Sequence, residues 1–213
     1  MSRISHKYKF IFFAYPKTAS TSIRNLLDPY CDIIAGTYKD RTEENPFYNH
    51  ITAAETKKLF EDRGWDYSSY YKFVVIRNPW TRLVSLYNMS DCNITTFKDW
   101  VLKLKPKNSN SSIQKWKTNG AYSLLNFAGD GTNLLVDCVL KMEEIDTELP
   151  KVFQCIGICG NDTKPSIPKL NEGKYTVPKL GNNWRKYYNN DPEIKRRVKK
   201  LYSWELKQYN YCF

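Results

Sequence analysis

Apolar residues gather along this chain into short dense runs, separated by polar stretches with helical spacing. Runs rich in Val, Ile, Phe and Tyr occupy residues 9–15, 72–77 and 135–141, with a shorter one at 31–35. Their length and their β-branched and aromatic content predict strands. A helical segment follows each of the three longer runs. Residues 21–27 follow the first, and residues 79–88 follow the second, with Asn78 as N-cap and Pro79 at the first helical position, where its missing N–H costs nothing. After the third, a helix-compatible stretch reaches residues 152–156, with Pro150 expected to break it or to start it.

Two capped helices lie between these units. In "TAAETKKLFEDRG" Thr52 is the predicted N-cap, Glu55 its capping-box partner and Gly64 the terminator. "TFKDWVLKL" repeats the device with Thr96 and Asp99. Asp191 and Pro192 announce a last helix. It carries Ile194, Val198, Leu201 and Tyr202 on one face and Lys195, Arg196, Arg197, Lys199 and Lys200 around the other, which reads as a solvated face. Buried strands alternating with helices predict an α/β fold, a three-layer sandwich with a central, mainly parallel sheet. With 213 residues, one domain over 1–213 is expected.

Charge and composition narrow the chemistry. Thirty-three Lys and Arg against 22 Asp and Glu give a net charge of +11, which suits an anionic partner such as a nucleotide, polysaccharide, nucleic acid or lipid surface. The longest apolar stretch, residues 10–15, falls short of a membrane span and of a signal peptide's apolar region, so the default expectation is a cytoplasmic protein; a lumenal one is expected only if the chain is a fragment. On the same default the sequons at Asn88, Asn93, Asn110 and Asn161 carry no meaning. Six scattered cysteines lack paired metal spacing, so buried reduced thiols are expected and no metal site.

In parallel α/β sheets, ligands sit beyond the carboxyl ends of the strands. Two of those ends carry a cation. The first, "FIFFAYPKTASTSIRNLL", joins a strand to a helix through Lys17, Thr18, Ala19, Ser20, Thr21 and Ser22. A helix N-terminus with unpaired N–H groups, one lysine and several hydroxyls suits phosphate or sulfate. No glycine lies between Phe10 and Tyr30, which excludes an ordinary Walker loop. The second, "KFVVIRNPWTRLVSLYN", ends its strand at Arg77 and places Ser85 two helical turns past the cap, on the face of Arg82. An arginine fork with a hydroxyl suits a second anionic group, and two anion sites imply a ligand with two separated anionic ends.

These residues resemble a family. "YPKTASTSIRNLL" is similar to the loop of sulfotransferases that holds the 5′-phosphosulfate of 3′-phosphoadenosine 5′-phosphosulfate (PAPS), and "FVVIRNPWTRLVSLY" to their 3′-phosphate motif. The wording is closest to the carbohydrate-type branch, with its chondroitin and dermatan sulfotransferases. "NHITAAE", "LKMEEI" and the closing "WRKYYNND" also resemble it, and the likeness thins between residues 93 and 134. Related loops usually carry a glycine at the position of Ala19 or Ser20; this one has none, which speaks against positive φ there.

The resemblance implies a P-loop-NTPase-like sulfotransferase fold and metal-independent sulfuryl transfer from PAPS to an acceptor hydroxyl, with 3′,5′-adenosine bisphosphate (PAP) as product. It implies Lys17 at the bridging oxygen, Thr18, Ser20, Thr21 and Ser22 around the 5′-phosphate, and Arg77 with Ser85 at the 3′-phosphate. Lys174, Arg185 or Lys186, in the loop expected over residues 168–188, would close on the 3′-phosphate, and Trp80 would wall the adenine. His50, where the carbohydrate branch often puts a histidine, is the expected base, with Glu43, Glu44 and Glu55 in reserve; Glu55 is the weakest because its cap occupies it. The positive charge favours a glycan acceptor, with Trp65, Trp100, Trp116 and Tyr122 as a stacking surface or as core. Two other readings stand beside this one: an inactive sulfotransferase-like nucleotide- or glycan-binding protein, and a basic nucleic-acid-binding module, which would leave both strand-end motifs unexplained.

Overall fold

The computed structural model describes residues 2–90, 95–104, 122–158 and 181–213. The chain forms two compact units, Met1–Ile76 with Phe127–Asn171, and Arg77–Asn126 with Glu172–Phe213.

The first unit holds a five-stranded sheet of β1 (Arg3–Ser5), β2 (Phe10–Phe13), β3 (Ile33–Ile34), β4 (Tyr71–Ile76) and β5 (Cys138–Lys141), in the order β3-β1-β2-β4-β5. β2, β4 and β5 run parallel, with Phe12 opposite Phe73 and Val75 opposite Leu140. β1 is antiparallel to both β2 and β3, so the architecture is the α/β sheet the alternation predicts, mixed at one edge. Phe10, Phe12, Phe73, Val75 and Leu140 pack against Ile23 and Leu27 of α1 (Ser20–Leu27), and against Leu149, Val152 and Phe153 of a helix over Ile145–Cys155. Residues of the other parity, Ile11, Phe13, Val74 and Ile76, are equally buried. Burial on both faces is why these strands read as unbroken apolar runs.

β1 escapes the sequence pattern because two of its three residues are polar. Arg3 is buried and ion-paired with Asp28, and the Ser5 hydroxyl donates to Asp32 Oδ2 at 3.2 Å. Its partners come from residues 28 and 32, which no local pattern reveals. Pro150 is also a correction: it lies inside the Ile145–Cys155 helix, which continues through it. α2 (Ala53–Asp62) has the predicted capping box. Glu55 N–H donates to Thr52 Oγ1 at 3.2 Å, and Thr52 N–H to Glu55 Oε2 at 3.1 Å.

The second unit is helical, with α3 (Pro79–Ser90), α4 (Phe97–Lys103), a 3-10 helix over Gly181–Tyr188, and helices over Pro192–Leu201 and Ser203–Gln208. Asn78 caps α3, its Oδ1 accepting from Trp80 N–H at 3.0 Å. The expected Thr96–Asp99 and Asp191 caps also form. Trp80, Leu83, Tyr87, Phe97, Trp100, Tyr188, Ile194 and Val198 share its core. The segment expected as a loop is therefore helical over Gly181–Tyr188; its earlier part lies outside the described residues. The four described cysteines depart from the buried-thiol expectation: Cys31 and Cys138 are half-buried, Cys155 and Cys212 exposed. Asn88 of the first sequon sits within α3 and accepts from the Tyr187 hydroxyl at 2.9 Å. No helix among the described residues is long and apolar enough to cross a membrane.

Candidate functional site

In the first unit the chain leaves β2 through Ala14 and Tyr15, both fully buried, and the Tyr15 ring stacks on Phe127 at 4.8 Å. Thr18, also 0% exposed, turns its hydroxyl inward to donate to the Tyr15 carbonyl at 2.9 Å. This bond closes the turn that carries the half-buried Lys17.

Ala19 is the N-cap of α1 at φ 58°, and Lys17 stands at φ 66°. The missing glycine therefore does not keep the loop out of the left-handed region, contrary to the expectation from the sequence. Two non-glycine residues enter it, each at a cost of about 1–2 kcal/mol. The buried Thr18 bond and the packed strand on one side, and the helix on the other, hold them there. Alanine has no side-chain acceptor, so α1 starts without a side-chain cap, and its first ladder bonds run from Ser22 and Ile23 N–H to the Ala19 carbonyl. The amides of the preceding turn and the positive end of the helix dipole thus meet at Lys17–Thr21, a geometry suited to an oxyanion. Ser20 and Ser22 are buried and Thr21 half-buried.

Arg24 belongs to this loop, although no sequence motif singles it out. Its Nε donates to the Ser20 carbonyl and its Nη2 to Thr21 Oγ1, each at 3.0 Å. Burial foremost, with Arg3 beside it, pulls its pKa down to about 10, and Asp28 works the other way. The spacing of three and four residues from Thr21 and Ser20 is the signal that could have found it.

His50 approaches the same strand end. It is half-buried, at φ 58°, and its Nδ1 lies 2.6 Å from the Ala14 carbonyl oxygen. A carbonyl only accepts, so Nδ1 carries the proton and Nε2 the lone pair. Burial, foremost, lowers its pKa to about 3, with the positive charges of Arg24 and Lys17 acting in the same direction and the bond to Ala14 opposing them. The imidazole is neutral at physiological pH. Of the reserve carboxylates, Glu55 is held by Thr52 and by the Tyr48 hydroxyl, the latter at 2.8 Å, while Glu43 and Glu44 are exposed.

In the second unit, half-buried Arg77 folds back along α3, and its Nε donates to Thr81 Oγ1 at 2.9 Å. Thr81 in turn donates to the Asn78 carbonyl at 3.1 Å. Ser85, half-buried, lies one turn beyond Thr81, so Arg77, Thr81 and Ser85 follow one face of the helix start. Thr81 is a second residue that sequence reading missed, four positions after Arg77. Arg82, by contrast, is a core residue at 1% exposure. Its Nη2 donates to the Tyr122 carbonyl at 2.9 Å, and its guanidinium lies 5.3 Å from the Tyr202 ring centre.

Trp80 corrects another expectation. At 1% exposure it packs against Tyr188 and Phe213, so its faces are filled by the protein and it cannot wall an adenine. Trp100 and Tyr122 are likewise buried and Trp65 packs on Phe47 and Phe60, which removes them as a stacking surface; Trp116 lies outside the described residues. Arg185 is exposed, with its guanidinium over Trp184 at 4.4 Å, and Lys186 is exposed beside it. Lys174 lies outside the described residues. Among the described residues no group of three His, Cys, Asp or Glu side chains could hold a metal.

A family model described as "Sulfotransferase family" matches residues 1–212. No curated protein and no solved structure matches the chain.

Proposed function

The chain belongs to the sulfotransferase family, and from that premise we propose that it moves the sulfuryl group of PAPS to an acceptor hydroxyl, on a carbohydrate, with His50 as base. The observation that carries this reading is the 2.6 Å Nδ1 bond of His50 to Ala14, which leaves Nε2 as the proton acceptor at the strand end that leads into Lys17. The uncapped start of α1 and the left-handed turn at Lys17 and Ala19 fit the 5′-phosphosulfate end of the donor. Arg77, drawn along α3 by Thr81 toward Ser85, fits the 3′-phosphate. Arg185, and Lys174 beyond the described residues, are proposed as further 3′-phosphate contacts.

In the proposed step the acceptor oxygen forms a bond to sulfur while the bond from sulfur to the bridging phosphate oxygen breaks. His50 Nε2 takes the acceptor proton, and Lys17 offsets the negative charge that grows on the bridging oxygen. PAP leaves. Positioning and electrostatics supply most of the rate in such transfers. Burial foremost, and then the positive charges of Arg24 and Lys17, keep His50 a weak base. A polyanionic donor on those cations raises its basicity, so the base is strongest when the donor is in place.

The test is calorimetry with PAP, followed by labelled-sulfate transfer from PAPS to a panel of glycans and small hydroxyl compounds by wild type, Lys17→Ala and His50→Gln. Binding of PAP near micromolar Kd, with transfer lost in both variants, is expected. No binding at ~100 μM PAP, on the order of −5.5 kcal/mol, would sink the donor assignment.

A further inference from the structure

We propose that Arg41 is a specificity-determining residue that reads an anionic group, a carboxylate or sulfate, on the acceptor next to the hydroxyl presented to His50. The inference rests on the sulfotransferase reading above and concerns the acceptor half of the same site.

The strand directions place it. β3 and β2 are both antiparallel to β1, and Arg3 pairs with Ile34 on one side and Phe12 on the other. β3 and β2 therefore end at the same side of the sheet. The chain leaving β3 emerges at the same end of the sheet as β2, with β1 between them, and it returns to Ala14 at His50. Between these points, residues 36–50 form a closed excursion. Gly36 bridges Tyr48, and Asn49 N–H donates to the Gly36 carbonyl at 2.9 Å. Asp40 Oδ2 accepts from Thr37 N–H at 2.7 Å, Thr42 Oγ1 from Asn45 N–H at 2.9 Å, and the Glu43 carbonyl from Arg63 Nη2 at 2.5 Å.

Arg41 stands on this frame with its orientation already fixed. Its Nε donates to the Tyr38 carbonyl at 3.1 Å, and its guanidinium carbon lies 3.3 Å from the centre of the Tyr38 ring and 5.5 Å from that of Tyr48. Tyr48 is itself tied to Glu55. The side chain is exposed, and within the described residues its terminal nitrogens make neither a hydrogen bond nor an ion pair. The nearest acid in sequence, Asp40, is turned to Thr37 N–H. A surface arginine without a partner usually samples many rotamers. This one is stacked and anchored, with four N–H donors unused, so an anion can engage the fork with little further loss of conformational entropy. Tyr38 beside it is itself exposed, so an apolar ring stands next to the fork.

Calorimetry on the full chain, with and without PAP, tests this with a uronate-containing chondroitin oligosaccharide and its carboxyl-reduced counterpart. Wild type should prefer the uronate form. Arg41→Ala should weaken that form about tenfold or more, as expected for a charged hydrogen-bonding pair, while leaving the reduced form within about twofold. Lys39→Ala removes the same charge nearby and serves as control; it should leave the preference intact. Equal binding of both oligosaccharides by wild type, an unchanged preference in Arg41→Ala, or an equal loss in Lys39→Ala overturns the assignment. The PAP titration is read separately, so a failure of the donor reading shows there and leaves the oligosaccharide comparison in donor-free protein decisive for Arg41.

Discussion

His50 donates a hydrogen bond from Nδ1 to the carbonyl oxygen of Ala14 at 2.6 Å, across 36 positions of sequence. One bond fixes the tautomer, aims Nε2 away from the strand, and ties His50, two positions before the α2 cap, to the chain that leads into the loop of Lys17 and Thr18. His50 also stands at φ 58°, so the backbone accepts some strain to place the ring there.

We expect His50→Gln to lower transfer by about 10²–10⁴-fold, the usual contribution of a general base, while PAP affinity stays within about twofold. Single-turnover kinetics beside a PAP titration separates the two. Retention of more than about a tenth of wild-type turnover would remove His50 from the base role.

The same ring should shape stability against pH. Its folded pKa lies at about 3, below the ordinary 6.5, so the unfolded chain binds a proton that the folded chain refuses. This contribution is fully present above 6.5 and is lost as pH falls from there toward 3. Urea unfolding of wild type and His50→Gln between pH 7.5 and 4.5 should show a shallower decline in the variant. An NMR titration midpoint near 6.5 for His50 in donor-free protein would contradict the shift. Adding PAP should raise the midpoint.

Ala19→Gly should stabilise the fold. Relief of a left-handed alanine returns about 1–2 kcal/mol and the added flexibility of the unfolded chain removes about 0.5–1, leaving a gain of up to about 1.5 kcal/mol in urea unfolding. Ala19→Val, β-branched at φ 58°, should lose more than alanine's own strain. A stabilised valine variant would show that the turn is not held as described.

Arg77→Ala should weaken PAP binding about 10–100-fold and leave adenosine 5′-monophosphate within about twofold, since only the former carries a 3′-phosphate. Thr81→Val removes the hydroxyl that accepts from Arg77 at 2.9 Å and should act in the same direction by a smaller factor. Equal losses for both nucleotides would assign Arg77 to folding or to another part of the ligand.

The local devices of the fold were legible because they are written in adjacent residues. The capping box at Thr52, the caps at Asn78, Thr96 and Asp191, and the apolar runs of β2 and β4 all form where the sequence places them. β1 was not legible, because Arg3 and Ser5 are buried by partners 25 and 27 positions away. Nor was the fate of Trp80, whose motif position says nothing of Tyr188 and Phe213 closing over it.

The sequence alone determined the chemistry available: a lysine and hydroxyls at one strand end, an arginine and a serine after another, a histidine before a capped helix, and an excess of positive charge. Tertiary structure decided how each of these is held within its own unit. It turned Thr18 inward and Arg82 into the core, brought Arg24 onto Thr21, and held Lys17 and Ala19 in a backbone region that a glycine was expected to require. Residue type and short spacing fix local hydrogen bonds and helix ends. The direction of a side chain, the protonation of a half-buried imidazole and tolerance of a strained φ depend on neighbours that only the folded chain supplies.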